Sequence, residues 1–212
     1  MSWSPDGRFL VSGSWNTNLT IWDVESRQPK IAPIQEYCGW VISVSWSPDG
    51  RFLAWGDSRV NILDTTTWQR LGEPLRGYTS GFHLVSWNPN DGHLLASSEN
   101  HDDTIIIWDA EKREELGEPL RVHQQSGNVF RRFSWSHDGN YIASCGDDET
   151  IIIWDFETRK PLLRFPLDSS ANSVEWDPSG SNRLAIGQAN GWVRIFQFHP
   201  ARRQSFHEMR LF

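Results

Sequence analysis

His101-Asp102-Asp103 sets an imidazole beside two carboxylates, the donor types of a divalent-metal site or of general acid–base catalysis. Asp57 and Asp148 stand in similar surroundings, each shortly before a run of apolar residues. No second ligand set at a suitable spacing accompanies the histidine, and the seven histidines form neither an HxH nor an HExxH arrangement. No serine sits in a GxSxG elbow, and no glycine-rich phosphate loop is present. The sequence therefore predicts no catalytic residue, no metal ligand and no cofactor. Its chemistry-bearing side chains must be explained by the elements that carry them.

Those elements recur. Ser2–Gly7 reads SWSPDG, and Ser45–Gly50 repeats it unchanged. Worn copies stand at Ser86–Gly92, Ser134–Gly139 and Glu175–Gly180. Their tryptophans, Trp3, Trp46, Trp87, Trp135 and Trp176, are 43, 41, 48 and 41 residues apart. So regular a period means one supersecondary unit stacked several times. Within a unit, Val41–Trp46 alternates apolar and small polar residues, the pattern of a strand with one buried face. Pro48-Asp49-Gly50 carries turn chemistry, Phe52–Trp55 makes a return strand, and Val60–Leu63 follows as a third. Trp68–Leu75 is expected as a fourth, outer strand, and its LGEPLR phrase recurs at Leu116–Arg121.

A second signal follows each phrase by about 20 residues, at Trp22-Asp23, Leu63-Asp64, Trp108-Asp109, Trp154-Asp155 and Phe196-Gln197. The Trp-Asp dipeptide at this period resembles the WD-repeat family. The resemblance implies an all-β β-propeller of four-stranded antiparallel blades. There would be five here, in one domain over 1–212, with repeats near 1–37, 38–78, 79–123, 124–167 and 168–212. In that family a buried network joins the third-strand Trp, a second-strand Ser or Thr, a turn Asp and a His. The turn position falls on Asn16, Asp57, Asp102, Asp148 and Asn190, while Tyr37 and Tyr78 occupy the His position. On this reading Trp22, Trp108, Trp154, Asp57, Asp102 and Asp148 are structural, and the tryptophans should lie between adjacent sheets.

A net charge of −7 with interspersed signs argues against general binding to nucleic acid or an anionic membrane. Cys38 and Cys145 lie in different repeats without metal-ligand spacing; an even pair leaves a bridge open, but a reduced intracellular chain is expected, cytoplasmic with the nucleus as the alternative. The expected function is a non-catalytic scaffold that binds a protein or peptide partner. In the resembled family, partners commonly dock on the face made by loops before first strands and turns between second and third strands. Trp15, Tyr37, Trp40, Tyr78, Phe82, His101 and Asp103 fall there. Two alternatives stand beside it. One is a sensor or autoinhibitory array of a larger signalling NTPase, since LGEPLR is similar to arrays that follow NACHT-type NTPases; the other is a propeller hydrolase or lactonase with a central metal. The first unit opens part-way through its first strand, so an open fragment of a larger propeller is expected over a closed five-blade ring or a ring completed between chains. Its end blades, with Trp3 and Trp22 at one end and Trp176 and Phe196 at the other, should then support self-association.

Overall fold

A computed structural model of the chain describes residues 1–14, 18–35, 40–75, 83–99, 103–122, 130–200 and 207–211. It divides into two compact units, Met1–Pro119 and Leu120–Phe212. Among the described residues every regular element is a strand; no helix long and apolar enough to cross a membrane is present. Blade 1 contains β1 (Ser2–Trp3), β2 (Phe9–Gly13), β3 (Asn18–Asp23), β4 (Gln28–Pro29) and a short β5 (Ile34–Gln35) that also pairs with β3. Blade 2 contains β6 (Ser43–Trp46), β7 (Phe52–Gly56), β8 (Val60–Asp64) and β9 (Gln69–Arg70). Blade 3 contains β10 (His83–Asn88), β11 (Asp91–Glu99), β12 (Thr104–Asp109) and β13 (Glu114–Glu115).

The second unit opens with β14 (Leu120–Arg121). Blade 4 follows as β15 (Phe130–Trp135), β16 (Tyr141–Gly146), β17 (Thr150–Asp155) and β18 (Pro161–Pro166). Blade 5 is β19 (Ala171–Trp176), β20 (Arg183–Gln188), β21 (Val193–Gln197) and β22 (His207–Leu211). All five sheets are antiparallel meanders.

Five of the six residues of the repeated phrase have a bond, contact or backbone conformation that explains them. In Ser45–Gly50 the Ser45 hydroxyl and carbonyl face the inner strand of blade 3, where the Trp87 indole Nε1 donates to Ser45 O at 3.0 Å. Trp46 packs back onto blade 1, nearly parallel to Phe9 at 6.3 Å, as Trp87 does onto Phe52 at 5.8 Å. Ser47 Oγ donates to Asp49 Oδ1 (2.6 Å) and accepts from the buried Phe52 N–H (2.8 Å). Asp49 Oδ1 also accepts from Arg51 N–H at 3.0 Å, so the turn's backbone donors are met by side chains. Gly50 closes the turn at φ +74°, a left-handed conformation that side-chain-bearing residues adopt only at a cost. Ser4-Asp6 and Ser136-Asp138 repeat these bonds in blades 1 and 4. Blade 5 substitutes Asp177, which accepts from Ser179 N–H and the Ser181 hydroxyl.

These turns give the fold an acid sensitivity. Asp6 is held below the ordinary carboxylate range by the Ser4 hydroxyl and the Arg8 amide. At Asp49 and Asp138 burial pushes the other way, and the Ser47 or Ser136 hydroxyl together with the next amide outweighs it. A carboxylate depressed by folding contributes stability above its unfolded value, near pH ~4, and that stability is lost as pH falls through the folded value. The melting midpoint should therefore hold between about pH 7 and pH 5 and drop below about pH 4. A midpoint unchanged down to about pH 2 would remove these turns as a source of stability.

The outer strands depart from expectation. Trp68–Leu75 was to form one strand, yet only Gln69–Arg70 is regular, followed by an isolated bridge from Leu75 to Val60. Gly72 turns left-handed at φ +68° and Pro74 has no N–H, so the ladder breaks between them. Gly117 and Pro119 interrupt blade 3 at the same place, and Pro33 separates β4 from β5 in blade 1. Blade 4, whose prolines lie at the two ends of β18, keeps a six-residue strand with five residues paired to β17.

Apolar side chains pack between consecutive sheets within each unit. Phe9, Val11, Leu19 and Ile21 of blade 1 meet Trp46, Leu53, Trp55 and Leu63 of blade 2. Ala54, Val60 and Ile62 of blade 2 meet Trp87, Leu95 and Trp108 of blade 3. In the second unit Ala143, Ile151 and Ile153 meet Trp176, Leu184 and Phe196. Trp176 and Phe196 are thus buried, which corrects their placement on an open end face. Strand alternation explains it: they stand on the face of blade 5 that turns toward blade 4.

Candidate functional site

The third-strand tryptophans are held by one repeated bond. Trp108 Nε1 donates to Ser97 Oγ at 2.7 Å, Trp154 Nε1 to Ser144 Oγ at 3.2 Å and Trp22 Nε1 to Ser12 Oγ at 3.1 Å. Trp108 and Trp154 are buried, Trp108 within the cluster that joins blades 2 and 3, whereas Trp22 is 39 % exposed. The expectation that Trp22 lies between sheets is therefore corrected: it makes the same bond, but on a face of blade 1 that is open to solvent. Blades 2 and 5 have no third-strand tryptophan, and neither has the serine. Blade 2 places Trp55 where Ser97 and Ser144 stand and Leu63 in the tryptophan position; blade 5 uses Ile186 and Phe196. On the third strand, an indole donor and its second-strand hydroxyl acceptor are present together or absent together.

The turn aspartates are occupied in the same way. Asp57 is buried, accepting from Arg59 N–H at 2.6 Å and from the Asn61 amide at 3.4 Å. Asp148 accepts from Thr150 N–H (3.2 Å) and the Thr150 hydroxyl (2.8 Å), with the Arg164 guanidinium 3.5 Å away. Arg131 makes a bidentate pair with Asp147 at 2.8 and 3.0 Å. Asp168 takes up the Gln188 amide and the Arg194 guanidinium. Each of these carboxylates is engaged by neighbours in its own blade. Among the described residues no three His, Cys, Asp or Glu side chains converge as a metal would need. The Cys145 thiol is buried, and burial pushes its pKa up to about 12, far from a reactive thiolate.

The blade end made by loops before first strands and turns between second and third strands also carries exposed aromatics. Trp40 is 44 % exposed, on a segment fixed by its neighbour Val41, which is buried and donates to Ser14 O at 3.3 Å. Asp103 stands just before β12 with a left-handed φ of +46°. Trp15, Tyr37, Tyr78, Phe82, His101 and the turn residue Asp102 lie outside the described residues. In the second unit Trp192 is 47 % exposed at the turn between β20 and β21. Asn190 Oδ1 accepts from its N–H at 3.1 Å and its carbonyl accepts from Gln188 N–H at 2.9 Å, so the indole is presented on a fixed backbone. Sequence reading left Trp192 unassigned. The available signal was the Asn190-Gly191 pair, a turn dipeptide that delivers its next side chain to the turn's exit.

The profile of the WD domain, G-beta repeat, matches residues 1–23, 31–64, 70–109 and 117–155, more than half of the chain. This chain belongs to the WD-repeat family. The unmatched blade 5 is the one whose Trp-Asp is replaced by Phe196-Gln197. Among WD-repeat and other curated proteins, it is 29 % identical over 164 residues to Protein HIR1 of Cryptococcus neoformans var. neoformans serotype D, covering 67 % of this chain and 18 % of that protein. It is 25 % identical to the WD repeat-containing protein 26 homolog of Arabidopsis thaliana (92 % and 32 % covered) and 27 % identical to THO complex subunit 3 of the same plant (84 % and 54 %). The chain thus spans between about a fifth and about half of these relatives.

Among solved structures it superposes on the β-propeller domain of Myceliophteria thermophila Cps50 (Swd1) with a TM-score of 0.79 at 19 % identity, covering 94 % of this chain and 65 % of that one. A chain of the Mitotic Checkpoint Complex gives 0.81 at 23 % identity, with 98 % and 62 % covered. The WD repeats of this chain therefore have the β-propeller fold.

Proposed function

We propose that this WD-repeat chain is a non-catalytic recognition module that binds a protein or peptide through the loop ends of its blades. The observation that carries the reading is Trp192, a large aromatic held rigid by its turn and left in solvent; Trp40 is its counterpart in the first unit. A fixed aromatic contributes large contact area at little entropic cost, which is why such residues anchor interfaces. The carboxylates nearest these ends are satisfied within their blades, leaving little free acid–base chemistry there. Relatives named as subunits of assemblies, such as THO complex subunit 3, support the same class of function.

The test is affinity capture of partners with the wild-type chain, repeated with Trp192→Ala and Trp40→Ala. At least one variant should weaken the captured partner by about 30-fold or more, the effect of losing an interface anchor. Its melting midpoint should stay that of the wild type. Equal capture by both variants would sink the loop-end assignment.

A further inference from the structure

Blades 1 and 2 border a cavity of about 250 Å³ between their two Ser-Pro-Asp-Gly turns. These turns follow the first strands, at the end of the sheets opposite the loop that carries Trp40. Asp6, Phe9, Trp46, Asp49, Thr65 and Trp68 are among its walls. Phe9 and Trp46 are buried in the cluster that joins the two blades, so packed sheets bound the cavity on both sides. Three rings make a corner there. Phe9 and Trp46 lie nearly parallel at 6.3 Å, and Trp68 stands edge-on to both, 5.1 Å from Phe9 and 6.4 Å from Trp46.

Trp68 is the unexpected member. It ends the turn between β8 and β9, where its N–H donates to Asp64 O at 2.8 Å and its φ is +58°. Blades 1, 3 and 4 build this turn with the same bond and a left-handed residue at the same place, but there it is Arg27, Arg113 or Arg159. The turn itself therefore does not require an indole. In blade 3 the Arg113 guanidinium reaches back to Glu73 O of blade 2. Between blades 1 and 2 an aromatic wall stands where the next junction has a built-in cation.

The protein's own cations already settle on these rings. Lys30 Nζ lies 5.8 Å from the centroids of both Phe9 and Trp68, and Arg8 Cζ lies 5.0 Å from that of Phe9. Lys30 is exposed, so its long side chain can swing clear. Arg8 is paired with Asp23, while Arg51 and His93 face Glu111. Asp6 and Asp49 have no ion pair among the described residues. Oδ1 of each accepts from a serine hydroxyl and an amide, and Oδ2 has no hydrogen-bond partner among those residues.

We propose that this cavity is a second recognition site, which takes the arginine side chain of a protein partner, its guanidinium stacked on the rings and donating to Asp6 and Asp49. A guanidinium suits both halves of the site. It is planar and weakly hydrated, as stacking on an indole requires, and its N–H groups match carboxylate oxygens. A trimethylated ammonium has no N–H for the two carboxylates, and a lysine ammonium has no plane to stack. The site is separate from the loop ends that carry Trp40 and Trp192.

Titration with N-acetyl-arginine amide, followed by the NMR signals of the indole N–H groups, tests this. The Trp46 and Trp68 signals should shift saturably with a Kd on the order of millimolar, as fits so small a probe. N-acetyl-citrulline amide, which keeps the shape without the charge, should bind at least about 10-fold more weakly. Trp68→Arg gives blade 2 the residue that the other blades carry in this turn, so it should keep the wild-type circular dichroism and lose the response. Lys30→Ala, an exposed change, should tighten binding by about 2-fold or more, because Lys30 competes for the same rings. Trp40→Ala and Trp192→Ala should titrate like the wild type, which separates this site from the loop-end reading. The proposal is overturned if the Trp46 and Trp68 signals do not move, or if Trp68→Arg binds as the wild type does. Equal binding of the citrulline, lysine or trimethyllysine amide overturns it as well.

Discussion

Trp108→Ala should lower the unfolding free energy by about 3–5 kcal/mol in a urea or guanidinium titration. The side chain is only 2 % exposed, sits in the cluster that joins blades 2 and 3, and gives its one donor to Ser97. Truncation removes a large buried apolar area, opens a void that a packed sheet interface closes only in part, and strands the Ser97 hydroxyl without its indole partner. Loss of the midpoint without a change in slope would mark a stability effect alone. A variant that unfolds at the wild-type denaturant concentration would place Trp108 outside the core.

The second large effect is a coupling. Blade 2 keeps its tryptophan on the second strand as Trp55 and a leucine on the third as Leu63, the reverse of the serine and tryptophan in blades 3 and 4. Both side chains are fully buried, and the Arg70 guanidinium lies 5.2 Å from the Trp55 ring centroid. Trp55→Ser alone should cost about 3–5 kcal/mol by leaving a cavity, and Leu63→Trp alone about 1–3 kcal/mol by overpacking. Together they rebuild the indole–hydroxyl pair of the other blades. The double variant should be more stable than the sum of the single changes predicts by at least about 1 kcal/mol. Strict additivity in this cycle would mean that the two positions do not share one space.

The parts of this fold that were legible in the sequence are those fixed by short-range chemistry repeated at a period. The Ser-x-Asp-Gly turn of blades 1, 2 and 4 is satisfied within six residues, and with its worn copies in blades 3 and 5 it reads directly as five blades. Trp108 and Trp154 were legible because each stands beside a strand-forming isoleucine at the blade period. What the period did not reveal depends on partners distant in sequence. Trp22 has the same local neighbours as Trp108, and only the absence of a covering sheet on its face, among the described residues, separates 39 % exposure from burial. Trp55 looked like a surplus aromatic until register placed it in the serine position. The end-face assignment of Trp176 and Phe196 failed because strand alternation, not chain position, decides which flank a side chain faces. The outer strands broke where Gly72 and Pro74 act together, although each alone is tolerated on an edge. Trp40 was reached through its loop position, whereas Trp192 needed the turn geometry of Asn190 and Gly191.

The proposed function divides the tryptophans: the repeated ones serve the blades, and recognition falls to the aromatics at the loop ends. The most direct test is partner affinity measured on Trp192→Ala beside Trp108→Ala, at a temperature where both remain folded, with denaturation midpoints taken on the same samples. Trp192→Ala should keep the wild-type midpoint and lose affinity, while Trp108→Ala should lose stability and bind as tightly as the wild type. Wild-type affinity in Trp192→Ala, together with lost binding in folded Trp108→Ala, would contradict that division of labour.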